Sequence, residues 1–243
     1  GPIHSTTATV PLCDLMLRDS ARIQEQDAAY LNQKTNRRGL PPIDPLYTMA
    51  DADQAVSQFT GHRYGEAVEV APGITADYHD AGHILGAALN RITLSENGRT
   101  HCVGFAFDLG RRNLPLLNDP VVLQDVDDLI LESTYGNRLH DDIIGAQDEL
   151  ADVVRRTIER GGRVLIPSFA LERAQELLYH FAVLFDSGRL QQVPVYVDSP
   201  LATAVTQVFD RQTSYFDEDY HRLRERIGRV FHAPWVTFVQ SVE

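Results

Sequence analysis

Between residues 11 and 33 the apolar positions of PLCDLMLRDSARIQEQDAAYLNQ recur at helical spacing, which predicts a helix. KTNRRGLPPIDP then breaks the pattern with prolines and a small basic cluster, Lys34, Arg37 and Arg38, and reads as a connector. A second helix is predicted over 48–59, TMADADQAVSQF. Thr48 is its N-cap, and acidic residues in its first turn oppose the positive end of the helix dipole. Short apolar runs follow at 66–70, 74–78, 88–94 and 101–107, parted by PG, AGH and ENG, and predict a meander of strands. Asn97-Gly98 is the strongest hairpin signal, because both residue types accept the positive φ that a two-residue turn demands.

After DDLILES at 127–133 the rhythm changes. IGAQDELADVVRRTIER has a strong helical pattern and stops at Gly161-Gly162, as helices often do. RVLIPSF predicts a short buried strand, ALERAQELLYHFAVLF a helix and VPVYVDSP another strand. LATAVTQVF and a charged helix at about 217–228 follow. Strand and helix alternating at this spacing predict βαβ units and a parallel sheet, hence an α/β fold. The two textures meet near 136–142, which divides the chain into domains 1–138 and 139–243. There is no internal repeat and no low-complexity tract.

Composition narrows the class without naming a function. With 43% hydrophobic and 23% charged residues, the 243-residue chain is that of an ordinary globular protein. No run approaches the roughly 18 apolar residues of a membrane span. The start also lacks the basic-then-apolar order of a signal peptide. A cytoplasmic chain with no membrane partner is therefore expected. Cys13 and Cys102 lie far apart without CxxC spacing and read as reduced core residues. The net charge of −12 excludes indiscriminate nucleic-acid binding. Yet Lys34 is the sole lysine beside many arginines, whose planar forks suit local phosphate contacts; genomic base composition explains the bias equally well.

Three strand ends carry candidate chemistry. His83 sits in AGHILG, where small neighbours leave room beside an imidazole, as a metal ligand requires. A hydrogen-bonded structural histidine would look the same. Asp108 ends the apolar run VGFAFD; a carboxylate there can ligate or bridge a cation, or simply cap a turn. Glu132 ends LILES in the same way. His79, four residues before His83, reads as its structural neighbour, and the remaining histidines, His140 among them, carry no supporting spacing.

AGHILGAA, FDLGRR, LILESTYGNR, PSFALERAQELL and VYVDSPLA, in this order, resemble the metallo-β-lactamase-fold nucleases that carry a β-CASP domain. The likeness spans nearly the whole chain and is greatest to the bacterial RNA-processing type. It implies part of a metallo-β-lactamase αββα sandwich over 1–138, then part of a β-CASP α/β domain with a parallel sheet over 139–243. It further implies that His83 ligates one zinc and Asp108 bridges two. Glu132 would orient a histidine from later in the chain. Ser168, Arg173 and Ser199 would stand near the substrate cleft as phosphate contacts. The implied cofactor is two Zn2+ ions and the implied partner single-stranded RNA, in a family that often forms homodimers.

Two departures qualify what this chain does alone. The family's HxHxDH motif, which supplies most of the metal ligands, belongs before a segment like GPIHSTTAT, where this sequence begins. FAFD replaces the usual FSGD, so that Phe107 stands where glycine is common and is expected to crowd the metal site. The expectation is a piece of a zinc-dependent ribonuclease that is itself inactive and binds zinc weakly, since zinc wants three or four protein ligands. A non-catalytic RNA-binding scaffold and a metallohydrolase for a small ester or thioester are the alternatives.

Overall fold

A computed structural model describes residues 1–36, 41–138 and 144–239. Arg37, Arg38, His140 and the 138/139 junction's far side lie outside the described residues. The chain forms two compact units, Gly1–Arg63 and Tyr64–Glu243.

In the first unit β1 (Ile3–Thr6) pairs in parallel with β2 (Phe59–His62), and α1 (Thr9–Asn36) and α2 (Met49–Val56) lie between them in sequence. The Thr6 hydroxyl accepts the Thr9 N–H at 3.3 Å as α1 begins. Pro11 falls in the first turn, where a missing N–H leaves no helical bond unmade. α1 buries Leu12, Ala21 and Ala28, the stripe that the spacing anticipates. Thr48 caps α2 as predicted: its hydroxyl accepts the Asp51 N–H at 3.3 Å, and the Asp51 carboxylate accepts the Thr48 N–H at 2.8 Å. Thr48→Ala removes half of this reciprocal pair and is expected to lower stability by about 1 kcal/mol in urea unfolding. An unchanged midpoint would show that the cap contributes nothing.

The second unit is built on a sheet of order β3-β4-β5-β6-β7: Val68–Ala71, Ile74–Asp80, Ala88–Glu96, Arg99–Ala106 and Asp128–Leu131. All neighbours are antiparallel except β6 and β7, which are parallel. Four strands of the predicted meander are thus present. Asn97 (φ 52°) and Gly98 (φ 73°) turn β5 into β6, the two left-handed residues that a type I′ hairpin needs. A small core of Ala81, Leu89 and Ala106, with Ala87 and Leu123 against it, packs at one end of the sheet.

The helices α3 (Ile144–Glu159), α4 (Arg173–Asp186), α5 (Pro200–Arg211) and α6 (Glu218–Ile227) follow, with β8 (Val195–Val197) paired in parallel to β9 (Val236–Phe238). Ala151 and Val154 of α3 pack on Phe181 and Leu184 of α4. Phe209, Phe216, Tyr220 and Phe231 make a second, aromatic cluster, with Phe216 and Tyr220 edge to face at 4.6 Å. The architecture is α/β, as expected; the five-stranded sheet of the meander is mixed, and the parallel pairing predicted after residue 139 is present as the two-stranded β8–β9 ladder.

RVLIPSF departs from expectation. Residues 163–169 join no ladder, and Leu165 and Phe169 are 89% and 84% exposed. An apolar run signals a segment that favours burial, but a strand also needs a hydrogen-bonding edge, and β8 pairs with β9 instead. The thiols of Cys13 and Cys102 are free, as expected, though half-buried rather than core. No helix among the described residues is long and apolar enough to cross a membrane.

Candidate functional site

β4, β6 and β7 run in the same direction, so the loops that follow them emerge at one rim of the sheet. These loops are AGHILG, FDLG and LES. The convergence follows from topology, and main-chain hydrogen bonds make it tight. The Gly110 N–H donates to the Ala81 carbonyl at 2.8 Å, joining FDLG to AGHILG. The Leu109 N–H donates to Glu132 Oε1 at 2.7 Å, joining LES to FDLG. The Glu132 N–H in turn continues the parallel ladder to the Ala106 carbonyl at 3.0 Å. Gly110 lies so close that a Cβ there would overlap the Gly82 carbonyl. Glycine is required at that point by space alone.

The AGHILG loop is braced on several sides. Asp80 Oδ1 accepts the Gly82 N–H at 2.9 Å, an Asx turn that sets Gly82 at φ +59°. Burial raises the Asp80 carboxyl above its ordinary range, and the Gly82 N–H pulls it back. The Ala87 carbonyl accepts both the Ala81 N–H at 3.2 Å and the Tyr64 hydroxyl at 2.7 Å. Burial drives the Tyr64 phenol up as well, so it donates as a neutral group.

His83 is exposed on this loop and Asp108 is exposed on the next, at φ 48° in the left-handed region that aspartate tolerates better than most residues. Glu132 is half-buried, and its carboxylate holds the FDLG backbone through Leu109. The Phe107 side chain is 48% exposed and tilts against Phe105 with ring centroids 6.2 Å apart. Among the described residues no three His, Cys, Asp or Glu side chains gather at distances that hold a metal ion. His83 and Asp108 alone do not fit a zinc pair, because each zinc takes three or four protein ligands.

The α4 segment supplies two carboxyl groups that the sequence did not single out. Glu176 is half-buried; partial burial raises its carboxyl, and Arg173, His83 and Arg111 each draw it back down. Arg173 bonds Glu176 directly at 3.1 Å. Glu172 is 6% exposed, and its Oε2 accepts the Leu85 N–H at 2.9 Å. Burial pushes the Glu172 carboxyl up to about 8, the Leu85 N–H lowers it, Glu176 raises it and Arg173 lowers it. An acidic residue before a helix looks like an N-cap in sequence, so nothing marked Glu172 as a partner of a loop 87 residues away.

Each of the three expected phosphate contacts has a local partner within the chain. Ser199 is the N-cap of α5, its hydroxyl accepting the Ala202 N–H at 3.1 Å. Ser168 donates to the Ile166 carbonyl at 3.2 Å, and both serines border an apolar cavity of about 780 Å³. Arg173 is instead committed to Glu176. A second cavity, about 960 Å³, is bordered by Arg111, Arg112 and Arg189 but equally by Asp119, Asp148 and Asp217, so its rim is mixed in charge. His79 bonds the buried Asp77, which also accepts from Arg91 Nε at 3.2 Å, a network within β4 and β5.

Residues 174–243 match the Beta-Casp domain. Ribonuclease TTHA0252 of Thermus thermophilus is 32% identical over 220 residues, which cover 90% of this chain and 45% of the relative. Transcription termination factor FttA of Pyrococcus horikoshii is 31% identical over 244 residues, covering 98% of this chain and 34% of the relative. FttA of Methanocaldococcus jannaschii is 31% identical over 250 residues, 35% of its length. The chain thus spans less than half the length of these relatives.

Proposed function

We propose that this chain, which belongs to the metallo-β-lactamase-fold proteins carrying a β-CASP domain, is a part of a zinc-dependent ribonuclease. The observation that carries the proposal is the bonded convergence of AGHILG, FDLG and LES at one sheet rim. In this reading 1–138 belongs to the metallo-β-lactamase part and 139–243 to the β-CASP part, and the intact protein works on single-stranded RNA in the cytoplasm, with a homodimer as its assembly. A zinc pair completed by ligands beyond His83 and Asp108 would supply Lewis acidity for phosphodiester hydrolysis.

This chain contributes His83 and Asp108 as two ligands, and the rest of the ligand set lies outside it. Glu132 keeps the FDLG turn in place through the Leu109 N–H and so sets where Asp108 is presented. Ser168, Arg173 and Ser199 are the proposed phosphate contacts. Arg173 and Ser199 stand at the starts of α4 and α5, where backbone N–H groups favour anions. A non-catalytic RNA-binding relative is the second reading.

One assay separates these readings. The longer protein that contains this chain is incubated with single-stranded RNA, single-stranded DNA and a thioester, each with and without added Zn2+. RNA cleavage that a chelator abolishes is the expected result. RNA binding without cleavage supports the scaffold, and thioester turnover without RNA cleavage sinks the nuclease proposal. The 243-residue chain alone is expected to leave RNA intact and to bind zinc weakly; saturable, tight binding of two equivalents would overturn that.

A further inference from the structure

Glu172 is unfavourable on three local counts. It occupies φ 66°, ψ −62°, the positive-φ γ-turn, closed by the Arg173 N–H on the Leu171 carbonyl at 3.0 Å. A side chain other than glycine is strained there. Its carboxyl is almost wholly buried, and Oε1 has no hydrogen-bond partner among the described residues. It also stands at the N-cap of α4 without capping it, although a carboxylate there would ordinarily accept one of the helix's own free N–H groups. The side chain instead turns away from its helix and takes the Leu85 N–H.

We infer that Glu172 is a positioning residue for His83, gripping the main chain of the AGHILG loop two residues beyond the imidazole. The inference rests on the proposed ligand role of His83. The geometry supports it independently, because the Leu85 N–H bond ties the middle of the loop to the α4 segment, while Asp80, Tyr64 and Gly110 bond it at Gly82, Ala87 and Ala81. The neighbouring Glu176, influenced electrostatically by His83 and Arg111, places the same helical turn beside the same loop.

Glu172→Gly is the informative variant, since glycine accepts this backbone without strain and so removes the carboxyl without penalising the turn. Glu172→Gln retains an acceptor of the same shape. Both are made in the full 243-residue chain and followed by amide exchange in NMR. Glu172→Gly should speed Leu85 exchange at least about tenfold, the loss of one buried hydrogen bond, while β5 and β6 amides stay within about twofold. Glu172→Gln should restore Leu85 protection. Zn2+ alone is then titrated while the His83 ring resonances are watched. The zinc-induced shift should survive in Glu172→Gln and weaken at least about tenfold in Glu172→Gly, as with other residues that orient a ligand.

Unchanged Leu85 exchange in Glu172→Gly overturns the inference, and so does an equal acceleration in β5 and β6, which would mark a fold-wide contact. If zinc leaves His83 unshifted in every form while Leu85 responds, the ligand role of His83 fails and the loop anchor stands.

Discussion

Gly110→Ala is expected to destabilise the second unit by at least about 3 kcal/mol, the upper range of overpacking effects, because the added methyl has nowhere to go. The Cβ would overlap the Gly82 carbonyl, and that atom is main chain, so no rotamer change relieves the contact. Gly82 cannot withdraw either. Its own Cα side faces Pro120, whose N would lie 2.7 Å from a Cβ there, and its backbone is pinned by Asp80. Relief therefore means parting FDLG from AGHILG, breaking the bond from the Gly110 N–H to Ala81. In a chain of this size the melting temperature should fall by roughly 6–12 °C. Gly145→Ala in α3 is the control: nothing lies within 4 Å of its Cβ, and alanine favours helix, so stability should hold or rise by up to about 1 kcal/mol. If Gly110→Ala melts with the wild type, the two loops are not in contact and the candidate site dissolves with them.

The second large effect is a dependence on pH seated in Glu172. Its carboxyl titrates near 4.5 in the unfolded chain and at about 8 when buried in the fold. Below the lower value both states are protonated and the group is neutral to stability. Between the two values the unfolded chain has released a proton that the folded chain retains, so folding weakens as pH rises. Above about 8 both forms are ionised and the penalty stops growing, having reached on the order of 5 kcal/mol.

The raised carboxyls of Glu176 and Asp80 act in the same direction, and the Arg173 guanidinium opposes them for Glu172 and Glu176. Urea unfolding of wild type and Glu172→Gln across pH 5 to 8.5 reads the difference. The glutamine variant, which cannot ionise, should gain on the wild type steadily toward alkaline pH. Parallel curves would show that the carboxyl is solvated and that the burial argument is wrong.

Much of this was open to inspection in one dimension. Thr48 and Asp51 made a capping box whose partners lie three residues apart, and such a bond needs no knowledge of the rest of the chain. Asn97-Gly98 marked its hairpin for the same reason. β3 to β6 were visible as short apolar runs parted by turn residues, a signal carried by near neighbours. AGHILG, FDLG and LES drew notice as acidic or imidazole groups at strand ends. RVLIPSF misled, since its apolar character says nothing about which edge pairs with it. Ser199 caps α5 and Arg173 pairs with Glu176, two local bonds that the sequence reading did not assign.

The chain's own order of residues determined the local elements, their caps and turns, and which three strand ends hold chemistry, because those choices depend on neighbours within a few positions. Tertiary structure alone decided that the three ends meet, that Gly110 must be bare and that Glu172 reaches Leu85. Each of these depends on which distant atoms come to share a space too small for water or a methyl group, and spacing along a sequence holds no measure of such distances.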